Sequence, residues 1–238
     1  MECEPEDTNY DHLSNRMKAF ARRFQHTIKD TQVGAQPFPN IPHTPLQLIE
    51  NSIPIYNSSV RLTPIHLLHT SKGYINKLLE EDIIGVQMEA TDWCSPGFFT
   101  AKKGSDKPRF MVDFRALNRC LDRPYWPFVL SEQARKQLPS KCGYMISLDL
   151  KKGYFQCPLP EESRDLTTFL CEHGRFFFKC YPQGLNASSD VFNRMSNNIL
   201  CEVCPQWYLK VVDDIIIFGD TQEKAYKKLS SKSSRSTG

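Results

Sequence analysis

Residues 207–219 read WYLKVVDDIIIFG, an apolar run of strand-forming residues with two adjacent carboxylates, Asp213 and Asp214, at its centre. Successive strand residues face opposite sides, so an unbroken central strand would drive one of these aspartates into a core. An unpaired buried carboxylate costs on the order of several kcal/mol or takes up a proton. A hairpin resolves the conflict: YLKVV forms one strand, Asp213-Asp214 the tight turn and IIIFG the return. Both carboxylates then project from one end of a sheet.

An Asp-Asp turn by itself is only a turn. A second short apolar run, YMISLDL at 144–150, also ends in an aspartate, Asp149. If the two elements are neighbours in one sheet, three carboxylates converge and their repulsion calls for a cation. Hard divalent ions such as Mg²⁺ take oxygen ligands and bridge carboxylates to substrate phosphates. Such a set suits phosphoryl transfer between two metal ions.

Around this pair of runs the chain alternates strands and helices. The 238 residues suffice for one large domain or two small ones, and 40% are apolar. No stretch approaches the roughly 20 uninterrupted apolar residues of a membrane span. The opening MECEPEDTNY lacks the basic-then-apolar profile of a secretory signal, so an intracellular, non-secreted chain without a membrane partner is expected. Nine cysteines at irregular spacing suit reduced, packing thiols. Cys201 and Cys204 have metal-type spacing, but a structural zinc site needs two tight pairs and Cys171 with Cys180 is not one; a helix end is the plainer reading.

Net charge is only +3, yet between Lys102 and Arg123 seven Lys or Arg face three Asp. A local basic stripe is what phosphate binding requires, although many such runs are merely solvated faces. Residues 1–53 are Pro-rich and polar, an extended leader with little fold of its own. Residues 64–82 predict a helix interrupted or capped near Gly73. FFTAKKGSDKPRFMVDF predicts two strands about a Gly-Ser-Asp turn, and TTFLCEHGRFFFKCY a hairpin turning at His173-Gly174. NASSDVFNRMSNNILCEVC predicts an amphipathic helix capped by Asn186 or Ser188. The Ser/Lys composition of 221–238 predicts a disordered tail.

The order of these segments is informative. TDWCSPGFFTAKKGSDKPRFMVDFRALN, SLDLKKGYFQ, YPQGLNASSDVFNR and VVDDIIIFG resemble, in sequence, the fingers hairpin and three palm motifs of the reverse transcriptase domain of gypsy-type LTR retrotransposons, and more distantly of retroviral enzymes. The resemblance spans about 54–220. It implies an α+β right-hand polymerase fold of fingers plus palm, with an antiparallel palm sheet and packed helices and no thumb. Residues 54–143 would form the fingers and N-terminal palm segments, and 144–220 the palm with its catalytic motifs.

The same resemblance implies that Asp149, Asp213 and Asp214, with the Leu150 carbonyl, hold two Mg²⁺ ions, Mn²⁺ being an alternative. Lys102 and Arg109 match positions that grip the triphosphate. Tyr154 matches the residue that excludes a 2′-hydroxyl, Phe155 shapes its pocket, and Gln183 and Gly184 match a nucleotide-contacting turn. Taken singly, these are ordinary surface charges, a core aromatic pair and a Pro-Gln-Gly bend. The implied partners are an RNA or DNA template with primer, deoxynucleoside triphosphates, and the thumb, ribonuclease H and integrase regions of a parent polyprotein. The implied location is the cytoplasm or a retrotransposon particle.

The chain departs from the pattern at Val211, where the family has a tyrosine packed near the primer end. With the expected absence of a thumb, this leaves a second reading: a truncated retrotransposon-derived remnant that at most binds nucleic acid. A third reading, an RNA-dependent RNA polymerase, keeps the chemistry and changes the polymer. Tyr154 separates it from the first, because a bulky gate favours deoxynucleotides.

Overall fold

The computed structural model describes residues 44–102, 105–126, 136–138, 142–150, 152–201, 208–211 and 214–230, without the side chains of 102, 105–107, 149, 199, 201, 229 and 230. The leader up to residue 43, the Cys204 end of the cysteine pair and the tail beyond residue 230 lie outside these residues.

Two sheets organise the described chain. The larger combines β2 (Ile84–Val86), β3 (Ser95–Lys102), β4 (Ser105–Val112), β7 (Phe169–Cys171) and β8 (Gly174–Phe178) in the order β2-β8-β7-β3-β4. Its β3–β7 pair is parallel and the others antiparallel. Strands from before and after position 143 thus share one sheet. Phenylalanines supply the reason. Phe169 is fully buried and packs against Phe110, Phe176 and Phe178, with ring centroids 5.1–5.7 Å apart. Burying such rings together contributes strongly to holding these strands in one sheet.

The smaller sheet joins β6 (Tyr144–Asp149), β9 (Tyr208–Val211) and β10 (Asp214–Gly219) in the order β6-β10-β9, all antiparallel. Ile215 and Ile217 are buried on one face, whereas Asp214, Ser147 and Met145 on the other are exposed. This is the period-2 alternation of a sheet packed on one side only.

Helix α1 (Leu68–Glu80) covers part of the large sheet through Ile75 and Leu78. It runs unbroken through Gly73, at which an added methyl group would meet nothing within 4 Å, so the expected interruption is absent. In the β3–β4 hairpin, Ser105 and Asp106 belong to the strand rather than to the expected Gly-Ser-Asp turn. The second hairpin forms, but its turn is Glu172-His173, one residue earlier than expected, because Gly174 already pairs with Cys171 as the first residue of β8. After β4 comes α2 (Arg115–Cys120), whose end pairs through β5 (Leu121–Asp122) with β1 (Gln47–Leu48). The last leader residues are therefore ordered: Leu46 is buried, its N–H donating to Ser163 Oγ at 2.8 Å, and the Tyr181 hydroxyl donates to the Thr44 carbonyl.

A short helix α3 (Glu161–Arg164) precedes β7, and α4 (Asn186–Cys201) carries the predicted buried stripe of Val191, Phe192 and Met195. Its cap is not local. The Asn186 N–H donates to Asn118 Oδ1 at 2.9 Å, and Ser188 Oγ donates backwards to the Pro182 carbonyl at 2.6 Å.

The tail requires a correction, because Gln222–Ser230 forms helix α5. Thr221 Oγ1 accepts the Lys224 N–H at 3.3 Å, a helix N-terminal cap. Ala225 is fully buried against Gly219, where an added Cβ would lie 2.8 Å from the Ala225 nitrogen. Two small residues let the helix approach β10, so this segment buries more than its composition suggests. No helix among the described residues is long and apolar enough to cross a membrane.

Because Phe169 is the hub of the aromatic core, Phe169→Ala should cost about 3–5 kcal/mol in chemical denaturation. Met88→Ala, at a side chain 83% exposed, should stay within about 0.5 kcal/mol.

Candidate nucleotide and metal site

The opening stretch does fold into a hairpin, shifted by one residue from expectation. Asp214 pairs with Val211 and is the first residue of the returning strand, so it does not belong to the turn expected of it. Asp213 lies outside the described residues.

The neighbouring strand completes the arrangement. In the β6–β10 ladder Asp149 and Asp214 are direct partners, so both positions occupy the same rung and share one face of the sheet. Directly opposed residues have Cβ atoms roughly 4.5–5.5 Å apart, and like charges there are destabilising. The Leu150 carbonyl, one residue on, accepts the Gly153 N–H at 3.2 Å and keeps a second lone pair. Carboxylates and a carbonyl are the hard oxygen donors that Mg²⁺ or Mn²⁺ takes, so these residues fit a divalent ion. Among the described residues no group of three or more His, Cys, Asp or Glu side chains is gathered.

Immediately after β6 the chain turns into a 3-10 segment, Gly153–Gln156, which carries Tyr154 and Phe155. Gly153 is required by close approach, since a Cβ there would lie 2.6 Å from Phe192 of α4. That contact seats the Tyr154 ring on Phe192 at 5.2 Å, while Phe155 stacks on Phe178 at 6.3 Å. The Pro-Gln-Gly bend is fixed in a different way. Gly184 has φ +92°, a conformation that disfavours other residues. Its carbonyl accepts from Asn118 Nδ2 at 2.9 Å while the same side chain's Oδ1 caps α4, so one amide clamps the bend to the helix.

Between these elements lies a cavity of about 370 Å³. Its wall includes Arg109, Tyr154, Phe155, Gln183 and Gly184, five of the six residues singled out for nucleotide contact. The sixth, Lys102, ends β3 opposite Ser105, and its side chain is outside the described atoms. Tyr74 and Lys152 also line the cavity and were missed by the sequence reading. Lys152 adjoins the Gly-Tyr motif, a signal that could have been used; Tyr74 is remote in sequence and had none.

The base of β4 is anchored electrostatically. Arg115 donates to both carboxylate oxygens of Asp113 at 2.8 and 2.6 Å, and Arg61 approaches at 3.4 Å. These guanidinium contacts, with that of Arg115 foremost, hold the Asp113 carboxyl down to about 2. Burial pushes the Cys157 and Cys180 thiols up to about 12, so both stay protonated and serve as packing groups. A second cavity, of about 340 Å³, is lined by Asn57, Asp113, Arg115 and Arg119 among others and holds none of the expected site residues.

A family model described as reverse transcriptase (RNA-dependent DNA polymerase) matches residues 100–236. The chain belongs to the reverse transcriptase family. The Pol polyprotein of the Drosophila melanogaster transposon 297, described as retrovirus-related, is 30% identical over 169 residues, covering 69% of this chain and 16% of that protein. The corresponding polyprotein of transposon gypsy, also from Drosophila melanogaster, is 28% identical over 222 residues, covering 89% and 20%. The chain thus spans about a fifth or less of the length of these relatives. Among solved structures, native prototype foamy virus protease-reverse transcriptase superimposes with a TM-score of 0.74 at 19% identity, over 90% of this chain and 28% of that one. The foamy viral protein in complex with an RNA/DNA hybrid gives 0.69 at 19% identity, over 92% and 29%. This likeness shows that the α+β arrangement is the polymerase fold.

The depressed Asp113 pKa has a definite sign. Its ion pairs contribute stability that is fully present above the unfolded value near 3.8 and lost as pH falls through about 2. Acid denaturation of Asp113→Asn should therefore lack this component: the gap between wild type and variant should narrow from pH 4 to pH 2, as followed by circular dichroism.

Proposed function

We propose that this reverse transcriptase family chain is an RNA-directed DNA polymerase domain, extending a primer on an RNA or DNA template with deoxynucleoside triphosphates. The observation that carries the reading is the shared rung of Asp149 and Asp214, followed within a few residues by the wall of a cavity that also holds Arg109, Gln183 and Gly184.

The primer 3′-hydroxyl oxygen forms a bond to the α-phosphorus while the bond to the bridging oxygen of the β-phosphate breaks. Pyrophosphate leaves and the hydroxyl proton passes to solvent. Asp149, Asp213 and Asp214, with the Leu150 carbonyl, would hold two Mg²⁺ ions, which when bound lower the pKa of the hydroxyl and offset charge on the phosphates. Arg109 supplies a planar donor fork suited to a non-bridging phosphate pair, with Lys102 as a second cation. The Tyr154 ring, backed by Phe192, would exclude a 2′-hydroxyl, with Phe155 shaping the same pocket. Gly184 lets backbone come close to the nucleotide, and Gln183 offers an amide beside it.

Val211 favours a second reading. It pairs with Asp214 at the end of β9, where the family pattern has tyrosine, and a smaller side chain there leaves the primer terminus less supported. On that reading the domain binds template-primer without extending it.

Mg²⁺-dependent extension of a DNA primer on an RNA template by the purified chain separates the two. Extension should fall by at least about 100-fold in Asp214→Asn, because several kcal/mol of charge stabilisation depends on the metal site. Tyr154→Ala should retain extension and lose about 10- to 100-fold of its preference for deoxynucleotides. Binding without extension by the folded wild-type chain would favour the second reading. Equal entry of both nucleotide types into the unmutated site would overturn the gate.

A further inference from the structure

Lys152 occupies a backbone conformation that a lysine adopts at a cost. With φ 51° and ψ 42° it is left-handed, and it sits at the N-terminal boundary of the 3-10 segment that presents Tyr154. Glycine reaches this region without strain, and asparagine more readily than lysine. The backbone on either side is pinned: the Gly153 N–H donates to the Leu150 carbonyl at 3.2 Å and the Phe155 N–H to the Lys152 carbonyl at 2.9 Å. A strained residue held this firmly points to a use for its side chain.

That side chain lines the same cavity as Arg109, and its ammonium donates to Glu81 Oε2 at 2.6 Å. The pair is open to water, Lys152 being 30% and Glu81 26% exposed, and ion pairs of this kind are weak. Glu81 has another cation within reach, since Lys77 Nζ lies 4.0 Å from Oε1 and is itself 64% exposed. Releasing Lys152 therefore strands no carboxylate. The flexible four-carbon stem lets the ammonium turn from Glu81 toward the cavity. A polyphosphate, carrying several negative charges, competes well against one partly exposed carboxylate.

We propose that Lys152 is a phosphate-contacting residue of the cavity, held off by Glu81 until a nucleoside polyphosphate displaces the carboxylate. Glu81 thereby sets how strongly the cavity distinguishes a triphosphate from less charged nucleotides. This inference rests on the reading of the cavity as a nucleotide site. It adds a cation from the turn after β6 to those of the β3–β4 hairpin.

Equilibrium binding of fluorescently labelled dATP, with labelled dADP and deoxyadenosine as comparisons, to the purified chain carrying a dideoxy-terminated template-primer tests it without turnover. Lys152→Met should weaken dATP binding about 10-fold or more, the scale of one charge-assisted contact, and leave deoxyadenosine unchanged. Lys152→Arg should retain most of the affinity. Glu81→Gln should tighten dATP binding when Lys152 is present and have no effect in the Lys152→Met background. Lys152→Gly separates structure from binding: relief of the left-handed strain should hold or raise the melting temperature while dATP affinity falls as in Lys152→Met.

Unchanged dATP affinity in Lys152→Met and Lys152→Gly, with Arg109→Ala losing it, would overturn the inference and leave the nucleotide site standing. An equal effect of Glu81→Gln in both backgrounds would also overturn it. If the wild-type chain bound dATP no better than deoxyadenosine, the cavity reading itself would fail, and the inference with it.

Discussion

Two aspartates on opposite positions of one antiparallel rung set the terms for everything around them. Asp149 and Asp214 are partners at the end of the β6–β10 ladder. A sheet does not gain from placing like charges there; cross-strand pairs of the same sign oppose the pairing they belong to. The ladder forms because its other face is buried, with Ile215 and Ile217 against the interior and Ala225 of α5 against Gly219. Hydrophobic burial on one side holds the carboxylate positions together on the other, and the cost falls on the face that a divalent cation would use.

The cavity beside this rung is assembled by contacts that leave little freedom. Gly153 permits the close approach to Phe192 that seats Tyr154, and Asn118 ties the Gly184 bend to the start of α4. Arg109 arrives on β4, whose base is secured by the Asp113–Arg115 pair. Residues from three distant parts of the chain thus meet around one volume. Gly184 is placed by backbone geometry and Tyr154 by the ring it rests on.

Much of this was legible in the sequence because it depends on local rules. The alternation in β10, the stripe of α4 and, to within one residue, the hairpin between β7 and β8 follow from period and turn chemistry. The carboxylates at 149, 213 and 214 and the residues of the cavity were singled out by their setting within recognisable segments. What escaped depends on partners far away in sequence. The place of Asp214 at the start of β10 is set by the register with β9, and the cap of α4 comes from Asn118. Helix α5 exists because Gly219 leaves room for Ala225, which no count of Ser and Lys can reveal. The joining of both halves in one sheet reflects Phe169 and its neighbouring rings, and the place of Lys152 at the cavity depends on a fold-level approach to Glu81, 71 residues away.

The central claim is that the shared rung is a divalent-cation site at which the fold bears electrostatic strain. Thermal unfolding of wild type, Asp149→Asn, Asp214→Asn and the double variant, in chelator and in millimolar Mg²⁺, tests it most directly. The account predicts that each asparagine variant melts above wild type in chelator, where repulsion is uncompensated. It also predicts that Mg²⁺ raises the wild-type melting temperature and leaves the double variant unmoved. Equal Mg²⁺ shifts in all four proteins, or wild type melting highest in chelator, would contradict it.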